Sequence, residues 1–122
     1  VLLNYGHLMV LTLFHNPRCS KSRQALAILQ TRELEFTEYL YLVEGLSVSQ
    51  VRELISRYNG KLSDLVRTGE AEYKVSPVDL EDEDEVVALL VTSPRCLERP
   101  ILDDGNSAVI GRPPENIITL LP

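Results

Sequence analysis

Cys19 stands in the run His15-Asn-Pro-Arg-Cys-Ser-Lys-Ser-Arg23, where an apolar stretch breaks at Asn16-Pro17 and an amphipathic stretch begins beside the thiol. The thiolate is the nucleophilic form, and a free cysteine with a pKa of about 8.5 is only a few per cent ionised near neutrality. A helix N-terminus supplies unpaired backbone N–H groups and about half a positive charge, both of which favour the anion. Arg18 and Lys21 add cations. The hydroxyl of Ser22, three residues on and therefore on the same side of a helix, is expected to donate to the sulfur. Lowering the pKa by roughly two units takes about 3 kcal/mol and makes the thiolate the majority species. These neighbours point to a reactive cysteine rather than to one packed as a small hydrophobe. His15, at the end of the apolar stretch, has two readings: it orients the loop, or it lowers the thiolate pKa and shuttles a proton. Asn16, Arg18, Ser20, Lys21 and Arg23 are the residues that would support this loop.

A thiolate needs something to attack, and three arginines outside the loop suggest an oxyanion. Arg67 lies in Leu-Val-Arg-Thr-Gly, Arg99 in Glu-Arg-Pro-Ile and Arg112 in Ile-Gly-Arg-Pro-Pro-Glu. Guanidinium is always charged and forks onto tetrahedral oxyanions, so a group of three suits binding such an anion or stabilising its transition state. Cys96, the other cysteine, is either a structural thiol or a resolving one. Cys19-Ser-Lys-Ser22 lacks the second cysteine of a dithiol site, so a partner thiol from outside is expected. Neither cysteine has the spacing of a zinc site, and no metal is expected.

The elements that must position these groups follow from the pattern of apolar residues. Val10 to His15 reads as a buried strand, Ser20 to Thr31 as a helix with Ala25, Leu26, Ile28 and Leu29 on one arc, and Phe36 to Leu42 as a second strand. This opening is β-α-β, and a right-handed crossover makes its strands parallel. Ser47 is the expected N-cap of a helix to about Tyr58, stopped by Asn59-Gly60. Leu62 to Glu72 is mixed and unassigned. Pro77 and the acidic run open another helix, with Val86, Val87, Leu90 and Val91 inward, ending by Ser93-Pro94. Pro100–Leu102 and Ser107–Ile110 around Asp103-Asp-Gly-Asn106 read as a hairpin, placing Arg99 and Arg112 at its two ends. Pro113-Pro114-Glu115 then opens a last helix carrying Ile117, Ile118, Leu120 and Leu121. The expected class is α/β, with a mixed sheet, β-α-β and β-β-α halves and an inserted helical subdomain, in the order of a thioredoxin-like fold.

The chain has 122 residues, enough for one core without staples, and a single domain over residues 10–122 is expected. Residues 1–9, before the first strand, read as an N-terminal extension. Asp79, Glu81, Asp82, Glu83, Asp84 and Glu85 account for the whole net charge of −6. That distribution argues against nonspecific nucleic-acid binding, which depends on clustered Lys and Arg. No apolar stretch reaches the roughly 20 residues of a membrane helix. Two cysteines do not make a disulfide framework, so a reducing, cytoplasmic setting and a monomer are expected.

The motifs His15-Asn-Pro-Arg-Cys-Ser-Lys-Ser-Arg23, Glu98-Arg-Pro-Ile101 and Ile110-Gly-Arg-Pro-Pro-Glu115 carry a resemblance. In order and spacing, over roughly Leu11 to Leu121, the chain resembles the arsenate reductases that work with glutathione and glutaredoxin, and especially their arsenate-reductase-like branch. The resemblance implies a thioredoxin-like core with a helical subdomain, and a cis-proline segment at Arg99-Pro100. It implies that Cys19 attacks arsenic to form a cysteine-arsenate adduct, and that Arg67, Arg99 and Arg112 bind the oxyanion. Glutathione as co-substrate, with no bound cofactor, would attack the adduct; glutaredoxin would resolve the mixed disulfide and arsenite would leave. The chain departs from the well-characterised members at Arg18, Ser20 and Lys21, where those have small residues. Two rivals keep the fold: a glutathione-dependent reductase of glutathionylated proteins or small disulfides, and a noncatalytic redox regulator that binds RNA polymerase. The latter typically uses a Cys-x-x-Cys switch, which is absent here.

Overall fold

The structure is a computed structural model that describes residues 10–122; the expected N-terminal extension, residues 1–9, lies outside the described residues. The first strand, β1 (Thr12–Phe14), leads through the Cys19 loop into α1 (Ser20–Thr31) and back to β2 (Thr37–Tyr39). Helices α2 (Tyr41–Glu44), α3 (Val48–Arg57), α4 (Ala71–Val75) and α5 (Glu83–Thr92) follow, with 3₁₀ turns at Leu62–Leu65 and Pro94–Cys96. The chain closes with β3 (Ile101–Asp103), β4 (Ala108–Ile110) and a 3₁₀ helix, Pro114–Leu120. The sheet order is β2-β1-β3-β4, with β1 parallel to β2 and antiparallel to β3, and β3 antiparallel to β4. The sheet is therefore mixed, and the hairpin lies beside the first strand.

Strand alternation divides the interior between two faces. Leu13 and Leu102 are directly opposed across the β1–β3 pair, and both join Leu11, Ala25, Leu29 and Ile117 in the core under α1. Phe14 and Ile101, the next pair, face the other way, into a larger core with Leu54, Leu65, Val86, Leu90 and Leu97 from the helical insertion. Ser47 caps α3 as the sequence predicts: its hydroxyl accepts the Gln50 N–H at 3.1 Å, and the Gln50 side chain accepts the Ser47 N–H at 2.8 Å.

The structure trims the expected strands by a residue or two, extends β3 to Asp103, and departs from the sequence reading more substantially in several places. Strand β2 stops at Tyr39, and Tyr41–Glu44 turns into a helix. Among the described residues its one partner is β1, which has nothing further to offer: after the Phe14–Tyr39 pair, the His15 N–H takes the Tyr39 carbonyl at 2.9 Å, and Asn16-Pro17 then leaves the sheet. Helix α5 starts at Glu83, not near Pro77, because Asp79 and Asp82 capture backbone N–H groups of Glu81 and Glu85 and hold the preceding residues in turns. The unassigned stretch resolves into a 3₁₀ turn and α4. The last helix is 3₁₀ rather than α, with Pro114 and Ile117 buried and Ile118 exposed.

Candidate active site

The loop before α1 is braced from within. Buried Asn16 accepts the Cys19 N–H on its carbonyl and the Arg18 N–H on its side chain, each at 3.0 Å, while Arg23 Nη1 donates to the Pro17 carbonyl at 2.9 Å. Cys19 is thereby fixed as the N-cap of α1, partly exposed. Burial by itself pushes its thiol pKa up, but the Ser22 backbone N–H, the Arg99 and Arg112 side chains and the Lys21 N–H together outweigh it and hold the thiol below its ordinary value. Arg112 Nη1 lies 3.8 Å from the sulfur.

Ser22 serves the site differently from the expectation. Its backbone N–H, not its hydroxyl, reaches the sulfur. The hydroxyl is buried, accepts the Asn16 N–H at 3.0 Å and lies 2.7 Å from His15 Nδ1. His15 is buried too, and burial lowers its pKa; Glu38 raises it and Arg23 lowers it further. The ring is held between two partners, with Nδ1 in hydrogen-bond contact with the Ser22 hydroxyl and Nε2 3.7 Å from Glu38. The hydroxyl is thus engaged by His15 and Asn16, and the sulfur is met by the Ser22 backbone instead. His15 and Ser22 are therefore a buried brace behind the loop. Of the remaining loop residues, Arg18 and Ser20 are exposed, and Lys21 contributes through its backbone.

The three arginines do converge, around two glutamates. Val66 and Leu97 form an antiparallel bridge, with Arg67 N donating to the Cys96 carbonyl at 2.7 Å and Glu98 N to the Leu65 carbonyl at 2.8 Å. This bridge carries Arg67 from the helical insertion to the Glu98-Arg99 segment. Arg67 donates from Nε to Glu70 at 3.1 Å and from Nη1 to Glu98 at 2.8 Å. Arg99 Nη1 lies 3.6 Å from Glu70, and Arg112 Nη1 lies 3.8 Å from Glu98 while donating to the Arg99 carbonyl at 2.8 Å. Arg112 and Arg99 thus face the sulfur, whereas Arg67 is shared between two carboxylates. Burial raises the Glu70 pKa, but Arg67, Arg99 and Arg95 outweigh it, so Glu70 is held ionised. Glu70 was missed in the sequence because it lies among unremarkable polar residues, and Glu38 because it stands inside a segment read only as a strand; Glu98 stood in a motif and was the one legible signal.

The peptide bonds before Pro100 and Pro113 are both cis. A cleft of about 570 Å³ opens beside the loop, walled by Pro17, Arg18, Leu42, Val43, Arg95 and Arg99. Cys96 is fully buried, and burial pushes its thiol pKa up, which makes it a poor resolving thiol. Among the described residues no group of His, Cys, Asp and Glu is placed to hold a metal ion, and no helix is long and apolar enough to cross a membrane.

A half-buried cysteine of lowered pKa at a helix N-terminus, faced by arginines from both ends of a hairpin, is the arrangement whose motifs carried the resemblance. The model of the ArsC family matches residues 14–120. The chain belongs to the ArsC family. This family member is 32% identical over 116 residues to the arsenate reductase of Haemophilus influenzae, a match covering 93% of this chain and 100% of that one. Its fold is similar to that of the arsenate reductase from Vibrio cholerae, with a TM-score of 0.83 and 30% identity over 93% of this chain and 98% of that chain. It is also 25% identical, over 93% of its length and 90% of the relative's, to the global transcriptional regulator Spx 1 of Lactococcus lactis. The fold is thioredoxin-like with a helical insertion, in agreement with the element order.

Proposed function

We propose that this chain is a thiol-dependent oxidoreductase that reduces arsenate to arsenite, with Cys19 as its nucleophile. One observation carries the reading: the Cys19 sulfur, held below its ordinary pKa, has Arg112 Nη1 at 3.8 Å and Arg99 as a second donor, so a tetrahedral anion can be held where the sulfur attacks. The named activity of the Haemophilus influenzae and Vibrio cholerae relatives supports the same substrate. In this reading the thiolate forms a sulfur–arsenic bond, and one arsenate oxygen takes up protons and leaves as water. A second thiol, glutathione, attacks the adduct. Two electrons pass to arsenic as two sulfurs become a disulfide, arsenite departs, and glutaredoxin returns the mixed disulfide to thiols. Electrons come from these thiols and from no resident cofactor. A reducing compartment suits this chemistry.

A coupled assay with arsenate, glutathione, glutaredoxin and a reductase tests the reading. Turnover is expected in the wild type and is expected to fall to background in Cys19→Ser; unchanged turnover in that variant would remove Cys19 as the nucleophile. Mass spectrometry after glutathione disulfide addresses the first rival, since a stable glutathione adduct without arsenate turnover favours reduction of glutathionylated substrates. The relative named as a transcriptional regulator motivates the second rival. Recovery of RNA polymerase subunits in a pull-down, with no thiol-dependent turnover, would favour it.

A further inference from the structure

Among the described residues, two buried side-chain polar atoms have no hydrogen-bond partner: the Tyr41 hydroxyl and Arg99 Nε. Arg99 donates toward the Cys19 sulfur, and the Tyr41 hydroxyl lies within electrostatic range of both. The Tyr41 ring is fully buried in the core shared with Phe14 and Leu46, and the charged groups acting on its hydroxyl are Arg99, Cys19, Arg67 and Glu98. A buried hydroxyl without a partner costs stability that phenylalanine in the same space would not. Natural structures leave few such groups, and each asks for a reason. Burial pushes the Tyr41 pKa up to about 12, so the phenol keeps its proton across the working range and is a permanent donor. Arg99 Nε–H is a donor by nature. Two unpaired donors beside a site that concentrates negative charge lack an acceptor.

We propose that Tyr41 is a further residue of the oxyanion site, whose O–H forms with the Arg99 Nε–H a two-donor seat for one oxygen of the tetrahedral anion held at Cys19. The proposal rests on the oxyanion reading above. The seat is closed in the free protein, and filling it requires Arg99 to move with the anion. Arg99 is suited to that, because its contact with Glu70 is long at 3.6 Å, whereas Arg67 is tied to Glu98 at 2.8 Å. Tyrosine at this position therefore trades stability of the free chain for a donor used only when the anion is bound.

Thermal unfolding of the wild type and Tyr41→Phe over a range of arsenate concentrations, without added thiol, yields both stability and arsenate Kd. Free Tyr41→Phe is expected to melt no lower than the wild type, and its arsenate Kd to be weaker by roughly tenfold or more, the range for a hydrogen bond to a charged group. Arg99→Lys, which keeps a charge but loses the Nε–H, is expected to weaken Kd as well, and the double variant to lose less than the two separate losses combined. Equal Kd values in wild type and Tyr41→Phe would overturn the role of Tyr41 and leave the oxyanion reading standing; that is the result if the seat holds only a water. A lower melting temperature for free Tyr41→Phe would overturn it too, since the hydroxyl would then have a structural partner. No arsenate-dependent shift in the wild type would overturn both readings together.

Discussion

At the residue scale, the acidity of Cys19 is a balance in which many modest donors defeat burial. No single partner does it: two backbone N–H groups from the first turn of α1 and two guanidinium groups from the hairpin each add a part. The sign of the pH dependence follows. A thiol whose folded pKa lies below its unfolded value of about 8.5 stabilises the fold fully above that value, and the contribution is lost as pH falls through the folded pKa. The stability difference between the wild type and Cys19→Ser is therefore expected to be largest above about pH 8.5 and to close progressively as the solution is acidified. Urea melts of both proteins over that range, beside thiolate absorbance in the ultraviolet, measure it; a difference that grows on acidification would contradict the arrangement. The loop motif made Cys19 legible, but not which atom of Ser22 faces it. That choice depended on a partner seven residues away, His15, whose ring claims the hydroxyl.

At the element scale, the hairpin is the device that delivers the arginines. Arg99 precedes β3 and Arg112 follows β4, and the Gly111 N–H donates to the Pro100 carbonyl at 2.8 Å, joining the two ends. Gly111 is required there by close approach: a Cβ would stand 2.8 Å from Pro100 Cγ and 3.1 Å from Ile117 Cγ2. Gly111→Ala is expected to cost about 1–3 kcal/mol in denaturant unfolding and to raise the Cys19 pKa, because Arg112 is displaced with its neighbour. An alanine variant as stable as the wild type, with an unchanged thiol titration, would show that the contact relaxes freely. The hairpin was legible from its apolar segments and its Asp-Gly-Asn turn. The end of β2 was not, because a strand's length depends on its partner, and β1 runs out at the loop that holds the thiol.

At the scale of the whole molecule, the helical insertion has to be locked to the sheet for Arg67 and Glu70 to meet Arg99. Besides the Val66–Leu97 bridge, Arg57 on α3 donates to Asp103 on β3 at 2.7 Å, and the other Asp103 oxygen accepts the Gly105 N–H at 2.8 Å. Asp103 is 10% exposed, so removing it leaves a partly buried guanidinium uncompensated. Asp103→Ala is expected to cost about 2–3 kcal/mol, read as a lower denaturation midpoint, with a weaker arsenate response than that loss of folded protein explains. A surface-like loss of a few tenths of a kcal/mol would mean that the insertion is held by its apolar core alone. By itself the sequence determined what is local: the thiolate-favouring loop, the order of elements, the capped α3, the hairpin and the presence of three arginines, because periodicity and turn chemistry act over a few residues. Only the tertiary structure decided which arginines face the sulfur, that Glu70 and Glu98 divide their charge, and that the Tyr41 hydroxyl lies buried beside them. Those outcomes depend on contacts between residues far apart in the chain, where burial and charge are set by what the fold places opposite each group.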